Sequence, residues 1–164
     1  MTGLLPPLDT YEKCYAAFHW QIPERFNIAS AVCDRHAIAT PSSPAVLFED
    51  ADGRTVTLTF DQLRREANRL ANVLRHLGVQ PGDRIAIHLP QCFDAAIAHV
   101  ATYKLGAIAL PLFSLFGPDA LRHRLADSGA RVLITCEDNL PVLDAIRDDL
   151  GELAHILVTD RDGT

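Results

Sequence analysis

Cysteine and histidine are the side chains of this sequence best suited to hold a metal ion or to act as nucleophiles and bases. The sequence contains no C-x-x-C pair and no H-x-x-x-H pair, so neither a zinc site nor a redox dithiol is indicated. Widely separated cysteines are typical of reduced thiols in a cytosolic protein. The cysteines are Cys14, Cys33, Cys92 and Cys136, and the histidines are His19, His36, His76, His88, His99, His123 and His155.

Three of these residues fall in or directly after apolar runs that are typical of strands. Cys92 and Cys136 each follow such a run, where a reactive thiol is one interpretation, although no His or Asp accompanies either one in a known catalytic spacing. His88 lies within a run, which predicts a hydrogen-bonded structural histidine rather than a ligand or base. Glu137 and Asp138 follow Cys136, and acidic residues directly after a strand are typical of response-regulator receiver domains. Such a domain also needs a lysine after its fifth strand, and neither Lys13 nor Lys104 is placed there.

The spacing of the glycines excludes the common phosphate-binding loops. No two of the nine glycines are closer than four residues, so G-x-G-x-x-G cannot occur, and no G-K-[ST] completes a Walker loop. The hydrolase motif G-x-S-x-G is also absent. The run "DADG" could suggest a calcium loop. The first and last ligands of that loop would fall at Phe48 and Thr59, which are not the acidic residues that it requires, so a turn is predicted instead. These residues indicate no catalytic constellation, and they disfavour a dinucleotide-binding domain.

Periodic apolar patterns predict the elements that would position these side chains. "AVLFED" and "TVTLTF" flank an Asp-Gly turn and predict a β-hairpin. Thr59 and Gln62 match a capping box before a helix that ends at Gly78. Asp83 and Arg84, in the turn and strand of "GVQPGDRIAIHLPQ", are predicted to have a structural role. The apolar stripe of the helix is Leu63, Ala67, Leu70, Leu74 and Leu77.

From Asp83 onward the sequence alternates between strand and helix patterns. This alternation predicts the α/β class, with a mostly parallel sheet that carries helices on both faces. We predict two parts: a leader strap and helix over residues 1–43, and an α/β domain over residues 44–164. Six apolar residues of the leader are expected to pack inward: Phe18, Trp20 and Ile22 of the strap, and Ile28, Val32 and Ile38 of the helix.

Composition narrows the class of partner. The chain has 164 residues, 48% of them hydrophobic, and a formal net charge of −6, which argues against nucleic acids and anionic membranes. The N-terminal residues lack the basic and apolar regions of a signal peptide, and no apolar run is long enough to span a membrane. A cytoplasmic protein is therefore expected.

Two motifs identify the domain more specifically. "LTFDQL" resembles the first core motif of the AMP-forming acyl-CoA synthetases, and "YKLGAIALPLF" resembles the second. These enzymes belong to the wider family of adenylate-forming enzymes, and the resemblance covers about residues 45–160. "FHWQIPERFNIASAVCDRHA" and "LFSLFGPDAL" are similar to the branch of acetyl-, propionyl- and medium-chain acyl-CoA synthetases.

The resemblance implies a reaction in two steps, in which a carboxylate and Mg-ATP give an acyl-adenylate and pyrophosphate, and coenzyme A then displaces AMP. The phosphate loop, the adenine motif, the ribose-binding Asp and the catalytic Lys of this family do not occur in the chain. We therefore expect an N-terminal fragment that is inactive alone. ATP, Mg and coenzyme A are implied only for the full-length enzyme, with a small carboxylic acid as its substrate.

The resemblance also nominates one site within the chain. In short-chain members the loop that corresponds to "FSLFG" lies toward coenzyme A, which puts Ser114 and Leu115 on that side. Those members often have glycines at these positions, so a loop that only packs is the other interpretation. A non-catalytic interaction or regulatory module that keeps the scaffold is the alternative function. A separated domain would expose apolar faces and an edge strand, so self-association is expected.

Overall fold

A computed structural model describes residues 9–20, 22–50 and 52–159. Its strands form two sheets. An antiparallel hairpin pairs β1 with β2, and the other four strands form a parallel sheet in the order β4-β3-β5-β6. The strands are β1 (Pro44–Glu49), β2 (Thr55–Thr59), β3 (Arg84–His88), β4 (Ile108–Pro111), β5 (Val132–Cys136) and β6 (His155–Thr159). The predicted hairpin and the predicted parallel sheet are both confirmed.

Helices cover both faces of the parallel sheet. The α-helices are α1 (Tyr11–Ala17), α2 (Arg35–Ala39), α3 (Phe60–His76), α4 (Phe93–Lys104), α5 (Pro118–Ser128) and α6 (Leu140–Asp144). Ile85 and Ile87 of β3 pack in one core with α3 and α4, whereas Ala86, between them, packs in a second core with α5 and α6. This alternation follows from the pleat of a strand, and it confirms the prediction of helices on both faces.

Helix α3 forms as its sequence predicts. The Thr59 hydroxyl accepts a hydrogen bond from the Gln62 amide at 3.3 Å, and the Gln62 side chain accepts one from the Thr59 amide at 2.9 Å, which completes the capping box. Leu63, Ala67 and Leu74 of the predicted stripe are buried. After the helix, Gly78 has a φ of +83°, in the left-handed region that favours glycine at this position.

The helix that precedes the hairpin packs through a different face from the one predicted. It contains a π-helical turn, Ser30–Asp34, before α2. Ile28, Val32 and Ile38 were expected to point inward, but they are 46, 48 and 75% exposed. The residues that pack instead are small and buried: Ala29, Cys33 and Ala37.

Polar contacts from a distant helix explain this orientation. The Asn27 side-chain amide donates to the Tyr103 carbonyl at 2.9 Å, and the Lys104 ammonium pairs with Asp34. Both contacts hold this segment against the end of α4, where small side chains allow a close approach. Sequence periodicity does not report a contact between segments so far apart.

The aromatic strap does not pack onto the sheet as predicted. Trp20 is 76% exposed and Ile22 is 82% exposed. Phe18 is half-buried, and its ring meets that of Trp20 edge to face with 5.0 Å between the centroids. The strap therefore leaves apolar surface open in the described part of the chain.

The turn before β3 has the structural role that its sequence predicts. Arg84 donates from Nε to the Ser128 carbonyl and from Nη2 to the Gly129 carbonyl, both at 2.7 Å. Asp83 accepts hydrogen bonds from the Gln80 amide at 2.9 Å and from Arg131 at 2.8 Å. These bonds lower the pKa of the Asp83 carboxyl, with the Gln80 amide as the main cause. The two charged side chains thus tie together the amino-terminal edge of the sheet.

Among the described residues, no helix combines the length and the apolar content that crossing a bilayer requires.

Candidate functional site

The carboxyl ends of β3, β4 and β5 bring three connections to one edge of the parallel sheet. In α/β sheets this edge is where ligands usually bind. The connection after β3 contains Cys92, the connection after β4 contains Ser114 and Leu115, and β5 ends at Cys136. All four predicted candidate residues therefore lie at the same edge. Parallel pairing produces this result, since it places every carboxyl end on one side.

His88 lies beneath this edge, at the last position of β3. Its side chain is 1% exposed, and neither ring nitrogen has a hydrogen-bond partner in the described part of the chain. The backbone groups of Ser114 and Phe113 favour the protonated ring and so act to raise its pKa, although they do not reach hydrogen-bond geometry. Burial is the dominant effect and lowers the pKa of His88. The predicted burial of this histidine is confirmed, whereas the prediction that it is hydrogen-bonded is wrong.

The backbone of His88 is held by polar side chains that sequence reasoning missed. Its carbonyl accepts hydrogen bonds from Thr135 at 3.1 Å and from the Asn139 side-chain amide at 3.0 Å. The Asn139 amide also reaches the Thr135 hydroxyl, at 3.3 Å. A buried threonine facing His88 across paired strands is a signal that appears only when the strand register is known.

The connection after β4, which we call the Phe113–Gly117 loop, leaves the sheet at its carboxyl edge. Phe113 and Leu115 are 61 and 79% exposed, whereas Ser114 is half-buried. The rings of Phe113 and Phe116 meet edge to face at 5.8 Å, and the Arg124 guanidinium lies 4.1 Å from the centre of the Phe116 ring. The predicted residues are thus accessible at the rim of the edge, with an aromatic pair and a cation beside them.

The thiol after β3 is not an activated nucleophile. Burial raises the pKa of Cys92, and the nearby Cys136 adds to that rise. A thiol with a raised pKa is protonated at neutral pH, whereas attack requires the thiolate. Asp94, two residues along the chain, also has a raised pKa because of burial, although a hydrogen bond with Thr159 opposes the shift. No general base is thereby provided for the thiol.

The described residues do not supply a metal centre. No group of three or more His, Cys, Asp or Glu side chains among them could hold an ion. A cavity of about 180 Å³ lies at the opposite, amino-terminal edge, between the end of α5 and the turn before β6. Its floor is formed by Leu125 and Leu150, and Asp149 and Glu152 give it an acidic rim, which disfavours a nucleotide phosphate there.

Comparison with known sequences gives a family match over most of the chain. The sequence profile of the family described as "AMP-binding enzyme" matches residues 33–164. Acetyl-coenzyme A synthetase 2 of Candida glabrata is 34% identical over 88% of this chain. Acetyl-coenzyme A synthetase of Streptomyces coelicolor is 36% identical over 99% of it. The chain spans about a quarter of the length of these relatives, 23% and 27% respectively.

Comparison with solved structures gives the same fold. The anthranilate CoA ligase AuaEII, solved with anthranoyl-AMP, aligns with a TM-score of 0.74 and 30% identity, over 84% of this chain and 26% of the ligase. An acyl-CoA synthetase of Brucella canis aligns with a TM-score of 0.83 and 26% identity, over 96% of this chain and 30% of that enzyme.

Proposed function

This chain belongs to the AMP-binding enzyme family, and we propose that it is the N-terminal part of an ATP-dependent, AMP-forming acyl-CoA synthetase. One observation carries the proposal: acetyl-CoA synthetases are 32–38% identical to it over 73% or more of its length. The order of the two core motifs, "LTFDQL" before "YKLGAIALPLF", supports the same conclusion.

The full-length enzyme would join a carboxylic acid to coenzyme A. In the first step a carboxylate oxygen attacks the α-phosphorus of ATP, which forms an acyl-adenylate and releases pyrophosphate. In the second step the thiol of coenzyme A attacks the acyl carbon and AMP leaves. Because the named relatives are acetyl-CoA synthetases, we infer a small carboxylic acid as substrate. Fatty acid metabolism and a cytoplasmic location remain predictions.

The described residues do not fit Mg-ATP, because they offer neither a metal cluster nor a glycine-rich phosphate loop. We therefore assign no catalytic residue to this chain and derive no chemical step from it. Its contribution is the sheet and the edge that would bound the site. The alternative, a non-catalytic interaction or regulatory module, is favoured only by the exposed apolar side chains of the strap, such as Trp20 and Ile22.

Coenzyme A fits the carboxyl edge better. The loop presents a half-buried Ser114 hydroxyl and an exposed Leu115, and nothing lies within 4 Å of where a Cβ at Gly117 would stand, so the backbone there is open to approach. We infer that Ser114 and Leu115 lie on the coenzyme A side of the full-length enzyme. The division of the chain at residue 43/44 likewise remains a prediction.

ATP–pyrophosphate exchange in the presence of acetate, propionate or butyrate tests the proposed activity. The complete open reading frame that contains this chain is expected to catalyse exchange, and residues 1–164 alone are expected not to. A reading frame that stops after Thr164, or a longer product that does not catalyse exchange with any of the acids, would favour the interaction module. Exchange by residues 1–164 alone would overturn the statement that the chain holds no catalytic residue.

Placement of the loop is tested in the same enzyme. Leu115→Glu puts a negative charge beside the proposed site of an anionic ligand, so the KM for coenzyme A should rise at least about tenfold, or roughly 1.4 kcal/mol. Exchange needs no coenzyme A and should not change. Leu47→Glu, in the hairpin and 67% exposed, is the matched control and should alter neither measurement. Equal KM values for the two variants would remove the loop from the binding site.

A further inference from the structure

The helix around Ser30, which precedes the hairpin, carries apolar side chains on more than one side. Ala29, Cys33 and Ala37 form its buried face. Ile28 and Val32 are four residues apart, so they share another face, and they are 46 and 48% exposed. A helix that is apolar on several sides is typical of one buried between two layers. The described residues cover one side only, which indicates a further partner for the outer side.

The segment just before this helix also exposes large apolar side chains. Trp20 is 76% exposed, Ile22 is 82% exposed and Phe26 is 67% exposed. Burial of large apolar side chains is favourable, so their exposure within one short segment favours a surface that is covered in the functional protein. We call this set the leader surface, and it consists of Trp20, Ile22, Phe26, Ile28, Val32 and Ile38.

The helix that carries part of the leader surface is held against the rest of the chain by polar contacts. The Asn27 side-chain amide donates to the Tyr103 carbonyl at 2.9 Å, and the Lys104 ammonium pairs with Asp34. Lys104 ends α4, and β4 begins soon afterwards at Ile108, so this end of α4 lies at the amino-terminal edge of the parallel sheet. The helix is therefore held away from the carboxyl edge, where ligands usually bind.

The charge of the leader argues against a membrane or a nucleic acid as the partner. Residues 9–39 contain four acidic and three basic residues. Helices that lie on membranes usually carry a polar face rich in Lys and Arg, and nucleic acids are bound by clustered positive charge. An apolar surface with almost no net charge instead fits the core of an interface with another protein surface.

The length of the relatives indicates where that protein surface comes from. The chain spans 23 and 27% of two acetyl-CoA synthetases, so most of a full-length enzyme lies outside it. The alignment with the Brucella canis enzyme covers 96% of this chain and 30% of that one. An alignment of this extent cannot leave out the leader, which therefore belongs to the fold shared with a polypeptide about three times as long. The rest of the same polypeptide is thus favoured over a second copy.

We propose that the leader surface is a docking surface for the part of the full-length polypeptide that follows residue 164. The contacts with α4 hold the inner side of the helix around Ser30, and the following part covers its outer side together with the strap. The proposal rests on the proposed function, because only a longer polypeptide contains such a part. In the isolated chain the same surface is free to contact a second copy.

Hydroxyl-radical footprinting read by mass spectrometry tests the proposal, because a side chain is oxidised only where solvent reaches it. The full-length enzyme is compared with residues 1–164, the latter at a concentration at which sedimentation velocity shows a monomer. Trp20 and Ile22 should be oxidised at least about fivefold more slowly in the full-length enzyme, since the core of an interface excludes water. Leu47 of the hairpin, 67% exposed, is the internal control, and its rate should not change.

Site-specific photo-cross-linking identifies the occupant. A benzophenone side chain is placed at Val32 of the full-length enzyme, and unlabelled and isotope-labelled preparations are mixed before illumination. The cross-links should join Val32 to residues beyond 164 within one isotope form, which shows a contact inside one polypeptide. Val73 on α3 is the matched control, because it is also a helical valine and is 47% exposed. The same group at Val73 should give no such cross-links.

Equal oxidation of Trp20 and Ile22 in the two proteins, or slowing that extends equally to Leu47, would overturn the proposal. Cross-links between the two isotope forms would also overturn it, because they indicate a second copy. ATP–pyrophosphate exchange is measured on the same unsubstituted enzyme. A covered leader surface without exchange contradicts only the proposed function, whereas an exposed leader surface in an enzyme that catalyses exchange contradicts only the docking.

Discussion

Gly129 ends α5 at a point where a side chain has no room. Its φ is +59°, and a Cβ built there would lie 2.7 Å from Nη2 of Arg84. The same guanidinium donates to the carbonyls of Ser128 and Gly129. The glycine therefore allows both the left-handed turn and the arginine that binds the end of the helix.

Gly129→Ala should lower the free energy of unfolding by about 1–3 kcal/mol, because the substitution adds left-handed strain and displaces the Arg84 side chain. Urea denaturation at neutral pH measures the change. Gly151→Ala is the matched control, since nothing lies within 4 Å of its built Cβ and its φ is not in the left-handed region. Equal stability of the two variants would show that the Arg84 contact does not constrain this turn.

Single residues were predictable from the sequence where neighbours in the chain determine their role. Gly78 and Asp83 sit in the helix end and the turn that their local sequence predicts. His88 was predictable only in part. An apolar run predicts burial, but whether the ring nitrogens find partners depends on segments that are distant in the sequence and pack around β3.

At the scale of elements, the π-helical turn Ser30–Asp34 shows how a distant contact selects the packed face of a helix. Lys104, at the end of α4, has a side chain that is 12% exposed, and its partner Asp34 is 29% exposed. The pair is partly shielded from water, so its attraction is screened less than that of a surface pair.

A double-mutant cycle with Asp34→Asn and Lys104→Met should give a coupling energy of about 1–2 kcal/mol in unfolding. The matched control is the pair Glu66 and Arg69 on α3, whose side chains are 41 and 75% exposed. Its coupling should be about 0.5 kcal/mol or less, because exposed pairs are screened by water and salt. A first value no larger than the second would mean that the Asp34 pair does not orient the helix.

The elements differ in how far their sequences predicted them. Helix α3 and the hairpin follow from a capping box, an apolar stripe and an Asp-Gly turn, and all three signals act within a few residues. The helix around Ser30 was predicted to exist but not to pack through Ala29, Cys33 and Ala37. Its large apolar residues suggested the opposite face, and the contacts that determined the result lie on α4.

At the scale of the whole molecule, large apolar side chains are exposed along the N-terminal part of the described chain. Several large side chains between residues 11 and 38 are more than two-thirds exposed: Tyr11, Tyr15, Trp20, Ile22, Phe26 and Ile38. Exposed large apolar side chains, where they cluster, are typical of faces that contact another protein surface. This arrangement supports the expectation that the isolated chain self-associates.

Sedimentation velocity over a range of concentrations should detect association of this chain at neutral pH. The double substitution of Trp20→Ser and Ile22→Ser should weaken it at least about tenfold, because it removes two large apolar side chains from the exposed surface. Leu47→Ser, on the hairpin, is the matched control and should have little effect. A single monomeric species at all concentrations, without any substitution, would contradict the prediction.

The sequence by itself determined the α/β class, the parallel sheet, the hairpin and the family, because periodicity, capping and core motifs are encoded by residues close together in the chain. Only the tertiary structure decided which face of the Ser30 helix packs, that the strap stays exposed, and that the ring nitrogens of the buried His88 lack partners among the described residues. Those outcomes depend on contacts between segments far apart in sequence, such as Asn27 with Tyr103 and Asp34 with Lys104. Their geometry exists only after the sheet has assembled.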